Sequence, residues 1–160
     1  MKLLVSACLL GDPVRYDGQA QRLADPSLRV WQQAGMLVPF CPEVAGGLPT
    51  PRPAAECQAD GRILTGSGED VTAAFRRGAE AALALCRREG IECALLKERS
   101  PSCGSQRIYD GRFRGVTLSG EGITANLLRQ QGIRVFSEAQ LDELKAFVAS
   151  ATDPLSSGSS

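Results

Sequence analysis

The sequence predicts a single α/β domain, a mainly parallel sheet with flanking helices in a Rossmann-like three-layer arrangement, with its site at the carboxyl ends of the strands. Three observations carry this expectation. Short apolar runs alternate with longer segments of helical period at intervals of 20–50 residues, the signature of parallel strands joined by helical crossovers. Three of those runs lead into a cysteine followed by Gly or Pro, at Cys8, Cys41 and Cys103. A chain of 160 residues with 43% hydrophobic and 22% charged content fits one globular domain that buries about two-thirds of its unfolded surface.

The elements follow in order. Lys2 to Cys8 reads as a first buried strand, and Gly11-Asp12-Pro13 and Tyr16-Asp17-Gly18 mark a loop over residues 9–20. Asp25-Pro26 offers an N-cap with proline at the first helical position, so a helix is expected from there to about Ala34. Leu37 to Cys41 is the second strand. The prolines and the Gly-Gly pair of residues 42–53 predict an irregular stretch over 42–61; loops of this length inside a domain are usually functional or disordered, and the apolar, conformationally fixed composition favours function. Arg62 to Thr65 is a short edge strand before a Gly-Ser-Gly turn.

Val71, Ala74, Phe75, Gly78, Ala82 and Leu85 recur at helical spacing, predicting a long amphipathic helix from Asp70 to about Glu89. Residues 91–96 form the third strand. The Ser100-Pro101-Ser102-Cys103-Gly104 turn follows it, because Pro101 disfavours helical geometry at Ser100. Ile108 to Phe113 reads as a tight hairpin around Asp110-Gly111. A helix starts at Gly122, a fourth strand covers 133–136, and Ser137 caps a last helix reaching about Ala149. The domain is expected over 1–152, with 153–160 as a flexible, Ser-rich tail.

Composition narrows the chemistry. Lys and Arg together number 18 and Asp and Glu 18, so no net field draws in nucleic acid or an anionic membrane, and the Arg76-Arg77 and Arg87-Arg88 pairs read as solvated helix faces. The first residues are too short in apolar run for a signal peptide, and no run approaches the ~20 residues that span a bilayer, so a cytoplasmic location is expected. In a reducing compartment six cysteines do not form a disulfide framework. Histidine is absent, which removes Ser-His and Cys-His dyads and imidazole ligands. A general base must then be a carboxylate or, less often, Lys, thiolate or tyrosinate.

Among the cysteines, Cys86 within a helix and Cys93 within a strand read as small buried hydrophobes, and Cys57 carries no assignable role. Cys8, Cys41 and Cys103 differ, because three parallel strands bring their ends to one edge of the sheet. Three thiolates without an evident fourth ligand suit a zinc site with an exchangeable position or a [4Fe-4S] cluster with an open iron.

The motifs Ser6-Ala-Cys8-Leu-Leu-Gly11, Arg15-Tyr-Asp-Gly18, Cys41-Pro-Glu-Val-Ala-Gly-Gly-Leu-Pro-Thr-Pro-Arg52 and Ser100-Pro-Ser-Cys-Gly104 together resemble the short bacterial thiouracil desulfidases, over residues 3 to about 136. That resemblance implies a [4Fe-4S] cluster held by Cys8, Cys41 and Cys103, with one iron free of protein ligands. It implies non-redox removal of sulfur from 2-thiouracil or a related thiolated pyrimidine or nucleoside, giving uracil and hydrogen sulfide. It assigns catalytic assistance to Glu43 and Ser100, with Ser102 a neighbouring alternative. Arg15, Arg52 and Lys97 are secondary candidates for offsetting the cluster's charge or binding substrate.

Two other classes are weighed against it. An Fe–S or zinc sensor or carrier module needs the thiolates but not Glu43 or the serines. A metal-free hydrolase with a Cys103 nucleophile lacks an activating base in a chain without histidine. The expected partner is a small thiolated pyrimidine. The charge balance disfavours thiolated tRNA without excluding it, and neither a membrane partner nor an oligomeric state is indicated.

Overall fold

A computed structural model of the chain describes residues 1–11, 17, 23 and 25–152. Arg15, Tyr16 and the expected tail at 153–160 lie outside the described residues. Strand β1 (Leu3–Ser6), helix α1 (Pro26–Gln33), β2 (Leu37–Phe40), α2 (Pro42–Ala45), β3 (Ala55–Cys57), β4 (Ile63–Thr65) and α3 (Thr72–Glu89) make the first half. Strands β5 (Cys93–Leu96), β6 (Arg107–Tyr109) and β7 (Thr117–Ser119), helix α4 (Ile123–Gln130), β8 (Arg134–Ser137) and α5 (Leu141–Thr152) complete it.

The central sheet has four strands in the order β2-β1-β5-β8, and every pairing is parallel. Alternation along each strand sends side chains to opposite faces. Leu3, Val5, Cys93, Leu95 and Phe136 face one side, packing with Leu28 and Trp31 of α1 and Leu144 and Val148 of α5. Leu4, Ala94 and Leu96 face the other, with Ala82 and Cys86 of α3 and Ala125 and Leu128 of α4. The expected three-layer α/β architecture is therefore present, and Cys86 and Cys93 sit in its core as read. Asp25 caps α1 by accepting from the Ser27 N–H at 2.8 Å and ties that helix to α5 through Lys145 at 3.0 Å. Among the described residues, no helix is long and apolar enough to cross a membrane.

Three local expectations are corrected. The first strand ends at Ser6, so Cys8 lies in a 3-10 turn over Ala7–Leu10. The stretch 42–61 is not irregular throughout: Pro42 starts the short helix α2, and Ala55–Cys57 pairs antiparallel with Ile63–Thr65. A tertiary contact invisible to local propensity allows α2. A Cβ at Gly78 would collide with the Pro42 carbonyl, and one at Gly46 with the Ala74 carbonyl, so bare glycines let α2 and α3 touch backbone to backbone. Finally, the hairpin does not turn tightly at Asp110-Gly111. Arg107–Tyr109 pairs with Thr117–Ser119 and leaves a longer loop over 110–116.

Candidate active site

The carboxyl ends of β1, β2 and β5 open into a cavity of about 490 Å³ lined by Cys8, Cys41, Cys103, Glu43, Arg52 and Ser100, among others. This is the edge at which parallel sheets bind ligands. Cys8 reaches it from the 3-10 turn after β1, and Cys41 from the N-cap position of α2, directly after β2. Cys103 sits on the turn that follows β5. Ser100 shapes that turn: its Oγ accepts from the N–H groups of Ser102 and Cys103, each at 3.0 Å. Gly104 donates back to the Ser100 carbonyl at 2.9 Å.

Glu98 holds the remainder of this turn. Its carboxylate accepts from the N–H groups of Ser105, Gln106 and Arg107 at 3.0–3.1 Å and of Arg99 at 3.3 Å. Burial alone would raise its pKa, but these N–H donors prevail and hold it below the ordinary glutamate value.

Burial pushes the Cys103 thiol strongly upward, and the nearby Glu43, Cys41 and Cys8 push it further, while a hydrogen bond from Ser6 opposes them. Burial likewise raises Cys41, against a hydrogen bond from the Val44 backbone. Thiols so placed ionise readily only beside a compensating positive charge, and soft metals supply one. Among the described residues, no three His, Cys, Asp or Glu side chains converge to hold a single metal ion. Thiolates are the usual ligands of iron–sulfur clusters, and a cubane offers each thiolate its own iron, so three cysteines lining one cavity fit such a group by their donor chemistry.

Glu43 stands on the first turn of α2 between two partners. Its Oε1 accepts from Arg52 Nε at 3.1 Å and its Oε2 from Ser100 Oγ at 3.4 Å. The Arg52 side chain is only 4% exposed and also donates from Nη1 to the Pro49 carbonyl and Thr50 Oγ1, both at 3.1 Å. The proline-rich segment thus serves to carry a buried guanidinium to the carboxylate.

The structure separates the two serines. Ser100 lines the cavity, whereas Ser102 is fully buried, shares a 2.7 Å hydrogen bond with Thr124 Oγ1, and does not line it. Lys97 lines the cavity, but its Nζ is engaged with Glu138 and the Glu98 carbonyl, each at 3.2 Å. Cys57 points to the Pro101 carbonyl at 3.7 Å, and burial raises its thiol to about 11. Sequence reasoning missed Glu56, Tyr109 and Phe113, which also line the cavity. They come from β3 and the β6–β7 hairpin, small units whose packing onto this edge no local motif announces.

A parallel α/β scaffold brings three thiols, a carboxylate and a hydroxyl to one cavity, a donor set that suits an enzyme with a thiol-ligated metal centre. The chain belongs to the 2-thiouracil desulfurase family, whose model matches residues 3–140. It is 40% identical over 151 residues to the uncharacterized protein YbbK of Bacillus subtilis (strain 168), covering 89% of this chain and 99% of that protein. It is also similar to the solved structure of the [4Fe-4S]-dependent thiouracil desulfidase TudS. The TM-score is 0.90 at 59% identity, with 92% of this chain and 97% of the other covered.

Proposed function

We propose that the chain is a [4Fe-4S]-dependent thiouracil desulfidase that hydrolyses 2-thiouracil, or a related thiolated pyrimidine, to uracil and hydrogen sulfide. The observation that carries this reading is the meeting of Cys8, Cys41 and Cys103 with the Arg52–Glu43–Ser100 chain at one cavity. Cys8, Cys41 and Cys103 would hold the cluster. When bound there, it supplies a Lewis-acidic iron with affinity for soft sulfur.

The residues of the chain supply the rest. Two backbone N–H groups occupy the acceptor side of Ser100 Oγ, so its proton is directed to Glu43 Oε2. The Glu43 carboxylate, anchored through Oε1 by Arg52, takes a proton from a water aimed at the thiocarbonyl carbon. It returns that proton to the departing sulfur as the carbon–sulfur bond breaks, and the two ring nitrogens keep the protons they already carry. The water oxygen becomes the new carbonyl, and its two protons leave, in the balance, with sulfide, so no electron donor is needed. Arg52 and Ser100 fix the carboxylate before substrate arrives, which removes reorientation from the barrier. The free state of all six thiols fits a reducing, cytoplasmic setting.

Anaerobically reconstituted protein is expected to release one sulfide per uracil formed from 2-thiouracil, with the activity lost in Glu43→Gln. Sulfide release surviving Glu43→Gln would remove Glu43 from the reaction. Bound iron with no sulfide from any thiobase would favour a sensor or carrier.

A further inference from the structure

The loop over 110–116 reads in the sequence as a simple turn, yet side chains from other elements hold it in one conformation. The Glu56 carboxylate, buried at the cavity wall, accepts from the N–H groups of Gly111 at 3.0 Å and Phe113 at 3.2 Å. Gln58 Nε2 donates to the Gly111 carbonyl at 3.1 Å. A Cβ at Gly111 would fall 2.7 Å from the Cys57 carbonyl, so only glycine allows this approach. Asp110 accepts from the Arg112 N–H at 2.9 Å and pairs with Arg114 at 2.7 Å.

All this order serves a residue whose backbone is strained. Phe113 has φ +56°, a region that L side chains avoid and that is an outlier for a bulky one. The other non-glycine residue at positive φ among the described residues is Arg99, with φ +70°. Both line the cavity. Strain concentrated at a site, and maintained by surrounding hydrogen bonds, marks residues placed for function. A Cβ added at Gly66 would meet one edge of the Phe113 ring at ordinary van der Waals distance, and Phe113 itself remains 40% exposed. A fixed but incompletely covered ring is poorly explained as core packing. The chain has five phenylalanines and two tyrosines, of which Phe40, Tyr109 and Phe113 line this one cavity.

We infer that Phe113, held by Glu56, is the platform on which the planar pyrimidine stacks, and so a substrate-binding residue of the site. The inference rests on the desulfidase reading above. Ring-on-ring stacking supplies affinity to any base because every base has a π-face, while Glu43 and Ser100 address the reacting carbon. Glu56 acts through Phe113 and is a positioning residue.

The test uses cluster-loaded wild-type, Phe113→Leu, Phe113→Tyr, Phe113→Gly and Glu56→Gln proteins. Sulfide-release kinetics with 2-thiouracil are measured alongside calorimetric binding of 2-thiouracil and thermal melts. Phe113→Leu is expected to raise KM by about tenfold with a much smaller change in kcat, since stacking is lost equally from ground and transition states. Phe113→Tyr restores the wild-type value, and Glu56→Gln gives an intermediate rise. Phe113→Gly raises KM like the Leu variant yet melts no lower than wild type, because glycine accepts the positive φ. A merely structural role would lower its melting temperature. An active wild type with KM within twofold in Phe113→Leu overturns the stacking role and leaves the desulfidase reading intact. Thiouracil binding that depends on Phe113 in a wild type releasing no sulfide upholds the platform and overturns the desulfidase reading. A wild type that neither binds nor turns over a thiopyrimidine overturns both.

Discussion

Ser100 and Ser102 are two residues apart and differ completely in surroundings. Ser100 Oγ is bonded to two N–H groups and to Glu43 at the cavity, while Ser102 Oγ is closed off against Thr124. Ser102→Ala leaves the Thr124 hydroxyl buried without its partner. It is expected to cost about 1–3 kcal/mol in denaturant unfolding while sulfide release per folded molecule stays near wild type. Ser100→Ala unties both Glu43 and the Cys103 turn and lowers the rate itself. Glu43→Gln keeps the size and removes the proposed base, and a loss of about 10²-fold or more in kcat is expected, with the iron content unchanged. The sequence made the turn legible, since Pro101 and Gly104 mark it, but not the direction each hydroxyl takes. That depends on α4, which brings Thr124 against Ser102 from 22 residues further along. Arg52 was visible only as one cation among several, because its burial is set by how the proline-rich segment folds back on α2.

At the scale of elements, α2 places both Cys41 and Glu43, and its position is set by a glycine contact with α3. Gly78→Ala should drive Cβ into the Pro42 carbonyl and destabilise the fold by roughly 1–3 kcal/mol, as overpacking does, while also weakening cofactor retention. Denaturant unfolding and iron content together check this. Periodicity identified α3 and placed Gly78 on its apolar face, but a glycine mid-helix gives no hint of what lies against it. Glu98 organises the Cys103 turn and yields a pH dependence. Its folded-state pKa lies below the ordinary value of 4.5, so its stabilisation is present above that value and is lost as pH falls through the lower folded pKa. The stability gap between wild type and Glu98→Gln should therefore be full near neutrality and close in acid, as read by urea unfolding at a series of pH values. The hairpin of β6 and β7 was anticipated as a turn, but its length was not. Glu56 and Gln58 provide the partners of the 110–116 loop, and they lie more than fifty residues earlier in the chain.

For the whole molecule, the parallel sheet was legible because its strands are short apolar runs whose alternate residues must face two helical layers. That same topology forces the three strand-end cysteines to one edge, so the candidate ligands followed from the fold class plus three positions. The walls of the cavity were not legible, since β3, β4, β6 and β7 form two small antiparallel units that close over that edge through long-range contacts. Cys57 lies in β3 outside the cavity lining, and Cys86 and Cys93 lie in the core, so their replacement by alanine should alter stability without changing iron content. The decisive measurement is iron and acid-labile sulfide per chain after anaerobic reconstitution, with sulfide release from 2-thiouracil followed on the same samples. About four iron atoms and four sulfides per chain in wild type and in Cys86→Ala are predicted. Cys8→Ala, Cys41→Ala and Cys103→Ala should each lose both the cluster and the activity. Full iron loading and undiminished sulfide release in any one of those three variants would contradict a cluster held by these cysteines.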